Sequence, residues 1–168
     1  MEQIATIVER EGELLDVLLF KLVETRLLLE QDEHRFLSRA TREVERAHRR
    51  AREADLVRAA TVADRCPGAT LRELARRAIG PWPAILRDHH ERLSALVAEI
   101  EATAHRNAAV ARLGLESLHP AAASSGQRTT VGVRDDLELT RLALGASLDA
   151  VLGSASRLRM PDLLDFLR

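Results

Sequence analysis

From Ile4 to about Ala60, apolar residues recur three and four positions apart: Ile4, Val8, Leu15, Leu18, Leu22, Leu29, Phe36, Ala40, Val44, Ala47, Ala51 and Ala54. Only Gly12 and no proline falls in this stretch, so the spacing predicts a long helix over about 3–60, either unbroken or as two helices with a kink. At 1.5 Å per residue it would run for about 80 Å, so it must be paired along its length. Leu15, Leu18, Leu22 and Leu29 form a thick seam, for a core or for an oligomer. Beyond Ala40 the stripe turns alanine-rich, which lets a second backbone approach more closely.

Cys66-Pro67-Gly68 ends this segment, and Thr70-Leu71-Arg72-Glu73 is a capping box opening a short helix over about 70–78. Gly80-Pro81-Trp82-Pro83 breaks the chain again, with Pro83 at a favourable first helical position and Trp82 placed to plug the end of a helix pair. The helix predicted over about 83–118 carries Leu86, Leu93, Ile100, Asn107 and Gly114 at strict sevens, a heptad seam. At about 54 Å it is long enough to lie antiparallel against much of the first. A polar Asn107 within such a seam sets register or oligomer state.

His119-Pro120 stops the hairpin at 1–119. Residues 120–133 are small, polar and unpatterned, as in a flexible linker. The C-terminal segment, 134–168, opens with an amphipathic helix marked by Leu137, Leu144, Leu148, Val151, Leu152, Ala155 and Leu158. After Pro161 comes a short apolar cluster of Leu163, Leu164, Phe166 and Leu167, too short to be a stable helix alone. It is either docked on the hairpin or free for a partner. A tethered amphipathic helix on a rigid hairpin is how a helix-in-groove binder is built, so Leu137, Leu144, Leu148, Val151 and Leu152 are the candidate binding surface, with Leu163, Leu164, Phe166 and Leu167 a second candidate.

Composition sharpens the fold class. Of 168 residues, 46% are hydrophobic but only 2% aromatic, with no tyrosine, which argues against a sheet protein. The reading is therefore all-α: an elongated, coiled-coil-like antiparallel hairpin with a short connecting helix and a tethered C-terminal helix. The net charge of −1 gives no basic excess for nucleic acid, but the charge is segregated. Residues 1–33 hold nine acids against three bases, and residues 34–120 hold eleven against sixteen. Oppositely charged regions can pair with each other or with a partner, although Arg39 to Arg58 also reads as a solvated, ion-paired face. One cysteine, Cys66, excludes an internal disulfide and a four-cysteine zinc site. No apolar run approaches a bilayer span and no basic-then-apolar leader opens the chain, so it reads as cytosolic, without stable membrane insertion.

Catalytic signals are poor: there is no phosphate-binding glycine loop and no nucleophile elbow. Glu45-x-x-His48 and Glu116-x-x-His119 place an acid and an imidazole one turn apart, the pattern of a di-metal bundle, but His119 abuts Pro120 and Glu45 lies in an arginine-rich stretch. Of the consecutive His89 and His90, one faces the seam and the other solvent. No catalytic, cofactor-binding or metal residue is therefore assigned, and the chain is not expected to be an enzyme.

Glu13-Leu14-Leu15 through LLFKLVETRLLL, then FLSRATREVE, then GPWPAILRDHHERLSALVAEI and the later Asn107 form an ordered set of patterns over about residues 10–119. This set resembles the FlgN-type flagellar export chaperones, in the arginine-rich version of high-GC Gram-positive bacteria. The resemblance implies a cytosolic helical chaperone that binds hook-associated proteins, the hook-filament junction subunits. It would mask their terminal amphipathic helices, prevent premature assembly and deliver them to the type III export gate. It also implies cargo recognition in the C-terminal region, which here is the helix after the linker. In relatives gate docking is associated with a tyrosine that this chain lacks, so docking through that residue is not carried over, while export-gate components remain among the partners that the resemblance implies. The alternative from another class is a structural coiled-coil homodimer that scaffolds an assembly through Leu15, Leu18, Leu22 and Leu29.

Overall fold

In a computed structural model of the chain, residues 1–118 and 131–168 are described, with backbone alone for 131–137. The elements are α1 (Glu2–Glu30), a 3-10 turn (His34–Phe36), α2 (Leu37–Arg65), α3 (Leu71–Arg77), α4 (Trp82–Leu118), α5 (Val131–Arg157) and α6 (Pro161–Leu167), with no strand among the described residues. The chain is all-α, as its composition requires.

The helix expected over 3–60 is two helices folded back on each other. The Asp32 amide bonds to the Leu29 carbonyl (3.4 Å) and the Glu33 amide to that of Leu28 (2.9 Å), the paired bonds of a Schellman turn. Asp32 occupies the left-handed position at φ 55° that glycine usually takes. The sequence signal for this turn is not a breaker but a lapse in the stripe, because Glu30 to Arg35 are six consecutive polar residues. Folding back solves the pairing of an 80 Å helix within the chain: α2 lies antiparallel on α1, with Lys21 against Glu43 (2.5 Å) and Arg58 against Glu11 (2.8 Å).

The second long helix also sits differently from the expectation. Gly12 lies beside Leu93, Asp16 pairs with Arg92, and the Asn107 Nδ2 donates to the Leu22 carbonyl (2.9 Å). Residue numbers rise together along both helices, so α4 runs parallel to α1 and opposite in direction to α2. The reason is α3, which with its flanking turns carries the chain across the end of the bundle and packs against the start of α4 and against α6, so that α4 begins level with the start of α1. The expected capping box holds it in place: Thr70 Oγ1 accepts from the Glu73 amide (3.3 Å) and Glu73 Oε2 from that of Thr70 (3.1 Å). Glycines at positive φ, Gly68 and Gly80, turn the chain on either side of α3.

The expected seam residues line the interior. Leu15, Leu18, Leu22, Leu29, Leu93, Ile100 and Asn107 are all buried, each leucine or isoleucine contributing about 1.5–3 kcal/mol. Trp82 packs on the end of this core. The seam is thus consumed within one chain and offers no surface for the scaffold homodimer. The described residues contain no helix long and apolar enough to cross a membrane.

Candidate partner-binding surface

The C-terminal segment is docked, and its two helices are held by different chemistry. Most of the proposed linker, 119–130, lies outside the described residues, and 131–133 already belong to α5. α5 lies between α2 and α4. Leu148 and Val151 are buried in a second, smaller core with Leu29, Leu37 and Ala111, and Leu144 and Leu152 pack at its margin. The side chain of Leu137 lies outside the described residues. Polar contacts fix the alignment: Ser38 and Ser147 share a hydroxyl bond (2.9 Å), and Arg157 pairs with Glu45 (2.7 Å). Leu139 and Leu142 face solvent at 64% and 67% exposure.

Close approach of α4 to α5 depends on Gly114. A β-carbon there would come within 3.0 Å of Leu148 Cδ1. Gly114→Val is therefore expected to loosen α5 by about 1–3 kcal/mol through overpacking. Hydrogen exchange should speed up in α5 while α1 and α2 keep their protection.

Deeper in the bundle, Asn107 meets Thr25, Thr41 and Ser154 around a cavity of about 10 Å³, the size of one water. Both threonine hydroxyls donate back to the carbonyl one turn earlier. Asn107 Oδ1 has no partner. This polar layer lies between the two cores, with Asn107 tied to α1 through the Leu22 carbonyl.

α6 fills the gap between α2, α3 and α4 beyond the end of α5. Leu163, Phe166 and Leu167 are buried in the main core, and Leu164 remains 37% exposed. His90 Nε2 lies 2.9 Å from the Leu167 carbonyl and 3.0 Å from Arg72 Nε, serving one or the other according to its tautomer. Phe166 stacks under the Arg58 guanidinium at 4.2 Å. Arg58 is itself buried, bonded through Nε to Glu11 (2.8 Å) and through Nη2 to Asp55. Two carboxylates thus share one cation inside the core. Burial pushes the Glu11 pKa up to about 7, with the Arg58 charge opposing and the Asp55 charge reinforcing the rise. Burial likewise raises Asp55 against the pull of Arg58.

Sequence reasoning did not single out this cluster. A signal was present: Glu11 sits on the stripe between Val8 and Leu15, and Asp55 and Arg58 sit between Ala51 and Val62. Nor do the expected acid and imidazole pairs converge. Glu45 is tied to Arg157, and His48 keeps a buried, unpartnered Nε2 with its pKa lowered by burial and then by Arg52 and Arg157. Glu116 is exposed and His119 lies outside the described residues. Among the described residues, no group of three or more His, Cys, Asp or Glu is arranged to hold a metal ion.

Beside the docked segment, between α4 and the α5–α6 junction, runs a groove of about 880 Å³. Its apolar lining includes Ala104, Ala108, Leu152, Ala155, Leu158 and Leu164, and its charged or polar lining includes Glu101, His105, Arg112 and Arg159. Alanines four apart on α4 allow a helix backbone to approach closely. Two of the sequence-predicted residues, Leu152 and Leu164, lie here, whereas Leu148, Val151, Leu163, Phe166 and Leu167 are spent in the two cores and do not face a partner as expected. Comparison with models of known families, with curated proteins and with solved structures returns no match.

Proposed function

We propose that this chain is a cytosolic secretion chaperone of the FlgN type, which binds the terminal amphipathic helix of a hook-filament junction protein, keeps it from assembling and presents it for export. The observation that carries this reading is the 880 Å³ groove, apolar along its floor, charged at its rim and built partly from the C-terminal segment. A helix laid there would bury the face through which an axial subunit self-associates, the helix-in-groove mode of recognition. The role needs no catalytic group.

Capture of the junction proteins encoded in the same genome tests this reading. Truncation at residue 133 would uncover both cores, so point variants on the full chain are the better probe. Ala108→Glu places a charge on the groove floor at a half-buried site. It is expected to reduce capture about tenfold or more, with an unchanged melting curve. Equal capture by the variant, or no capture by the parent chain, would remove the groove or the chaperone role respectively.

A further inference from the structure

The outer face of the α1–α2 hairpin is the least explained surface of the molecule. Val17, Phe20 and Leu27 on α1 and Val57 on α2 are 46–63% exposed. Between the helices lies a groove of about 500 Å³ with Ile7, Leu14, Ala54 and Val57 in its lining. Over their whole lengths the two helices also differ in charge. α1 holds seven acids and three bases, and α2 eight arginines against five acids. Arg42, Arg46 and Arg50 are exposed on α2, and none forms an ion pair with a described residue.

We propose that this face is a self-association surface, occupied by the same face of a second copy of the chain. Two kinds of two-fold axis could bring it against itself. An axis across the helices lays α1 on α1 and α2 on α2, which opposes like charges. An axis along the helices lays each copy's α1 over the other's α2, and that joins acidic to basic twice while packing the exposed apolar residues between them. Electrostatics therefore selects the second. The pairs Glu11–Arg58 and Lys21–Glu43 fix the levels of the two helices. By that register, Glu24 of one copy meets Arg42 of the other, and Phe20 meets Arg46, a cation over an aromatic ring.

The area suffices. Two 29-residue helices about 43 Å long and packed about 10 Å apart present on the order of 800 Å² per copy, the size of a standard specific interface. The face lies on α1 and α2, away from the groove between α4 and the C-terminal segment, so both surfaces can be used at once.

Sedimentation equilibrium of the full chain tests the proposal. A dimer is expected below about 100 μM in low salt. Arg42→Glu and Glu24→Arg should each raise its dissociation constant about tenfold or more, and the double reversal should restore it. Phe20→Ser should weaken it comparably. Arg42→Glu and Phe20→Ser should melt like the parent because both sites are exposed, whereas Glu24→Arg also gives up the Glu24 pair with Lys21 (2.8 Å) and its melting curve serves as the control for that loss. A parent chain that stays monomeric at about 100 μM, single reversals that leave the constant unchanged, or a double reversal that fails to restore it would each overturn this assignment.

Discussion

Replacing Arg58 with alanine is expected to destabilise the fold by about 3–5 kcal/mol, read as a fall in the urea midpoint at pH 7. The magnitude follows from what the substitution leaves behind. Glu11 and Asp55 are 0% and 1% exposed, and each has one carboxylate oxygen without any partner even with Arg58 in place. Without the guanidinium, two buried carboxyls face each other with no cation between them. The Phe166 ring also loses the cation it stacks against, so α6 should be the element that frays first. Breaking the cluster and deleting it are different experiments. Glu11→Leu, Asp55→Leu and Arg58→Met together remove the desolvation penalty along with the ion pairs and should cost far less than Arg58→Ala, or even stabilise.

The second large effect is on pH dependence. Glu11 has an ordinary pKa of 4.5 and a folded value of about 7. An acid whose folded pKa is raised binds its proton more tightly when folded, so its contribution is complete below pH 4.5 and is lost as pH rises to 7, then stays constant. The loss is about 3 kcal/mol for a shift of this size. Asp55 shifts in the same direction and adds to the slope. His48 acts oppositely, since its lowered pKa costs stability as pH falls below 6.5. Glu11→Gln isolates the carboxyl, because an amide oxygen still accepts from Arg58 and carries no proton to lose. Urea midpoints at pH 5 and pH 8 should show a large fall in the parent chain and a much smaller one in the variant, which should be the more stable of the two at pH 8. Parallel pH profiles would mean that Glu11 is not the titrating group.

The fold was legible wherever the sequence carries a local device that decides conformation by itself. The capping box at Thr70 and Glu73, the Cys66-Pro67-Gly68 stop and the heptads of α4 all act within a turn or two, and each appears where it was expected. The turn at Asp32 was not legible as a break, because a residue that tolerates the left-handed region stands where a glycine would have announced one. The placement of α4 was illegible for a different reason: a seam says that a helix is paired, not with which neighbour or in which direction. The candidate surface divides the same way. Leu152 and Leu164 are visible as stripe residues, but Ala104 and Ala108 become groove floor only once α5 and α6 are docked beside them.

Phe166 covers one face of the guanidinium in a cluster whose charged members lie at positions 11, 55 and 58. Synthesis from the N-terminus therefore makes the charges first and their cover more than a hundred residues later. While α6 is still unmade, water can reach Arg58 and both carboxyls, and the hairpin of α1 and α2 can form with its ions hydrated. Desolvation then coincides with the arrival of the C-terminal segment. The most expensive burial in the molecule is thereby postponed until the helices that enclose it already exist, which spares the nascent chain a charged core that it has no means of sealing.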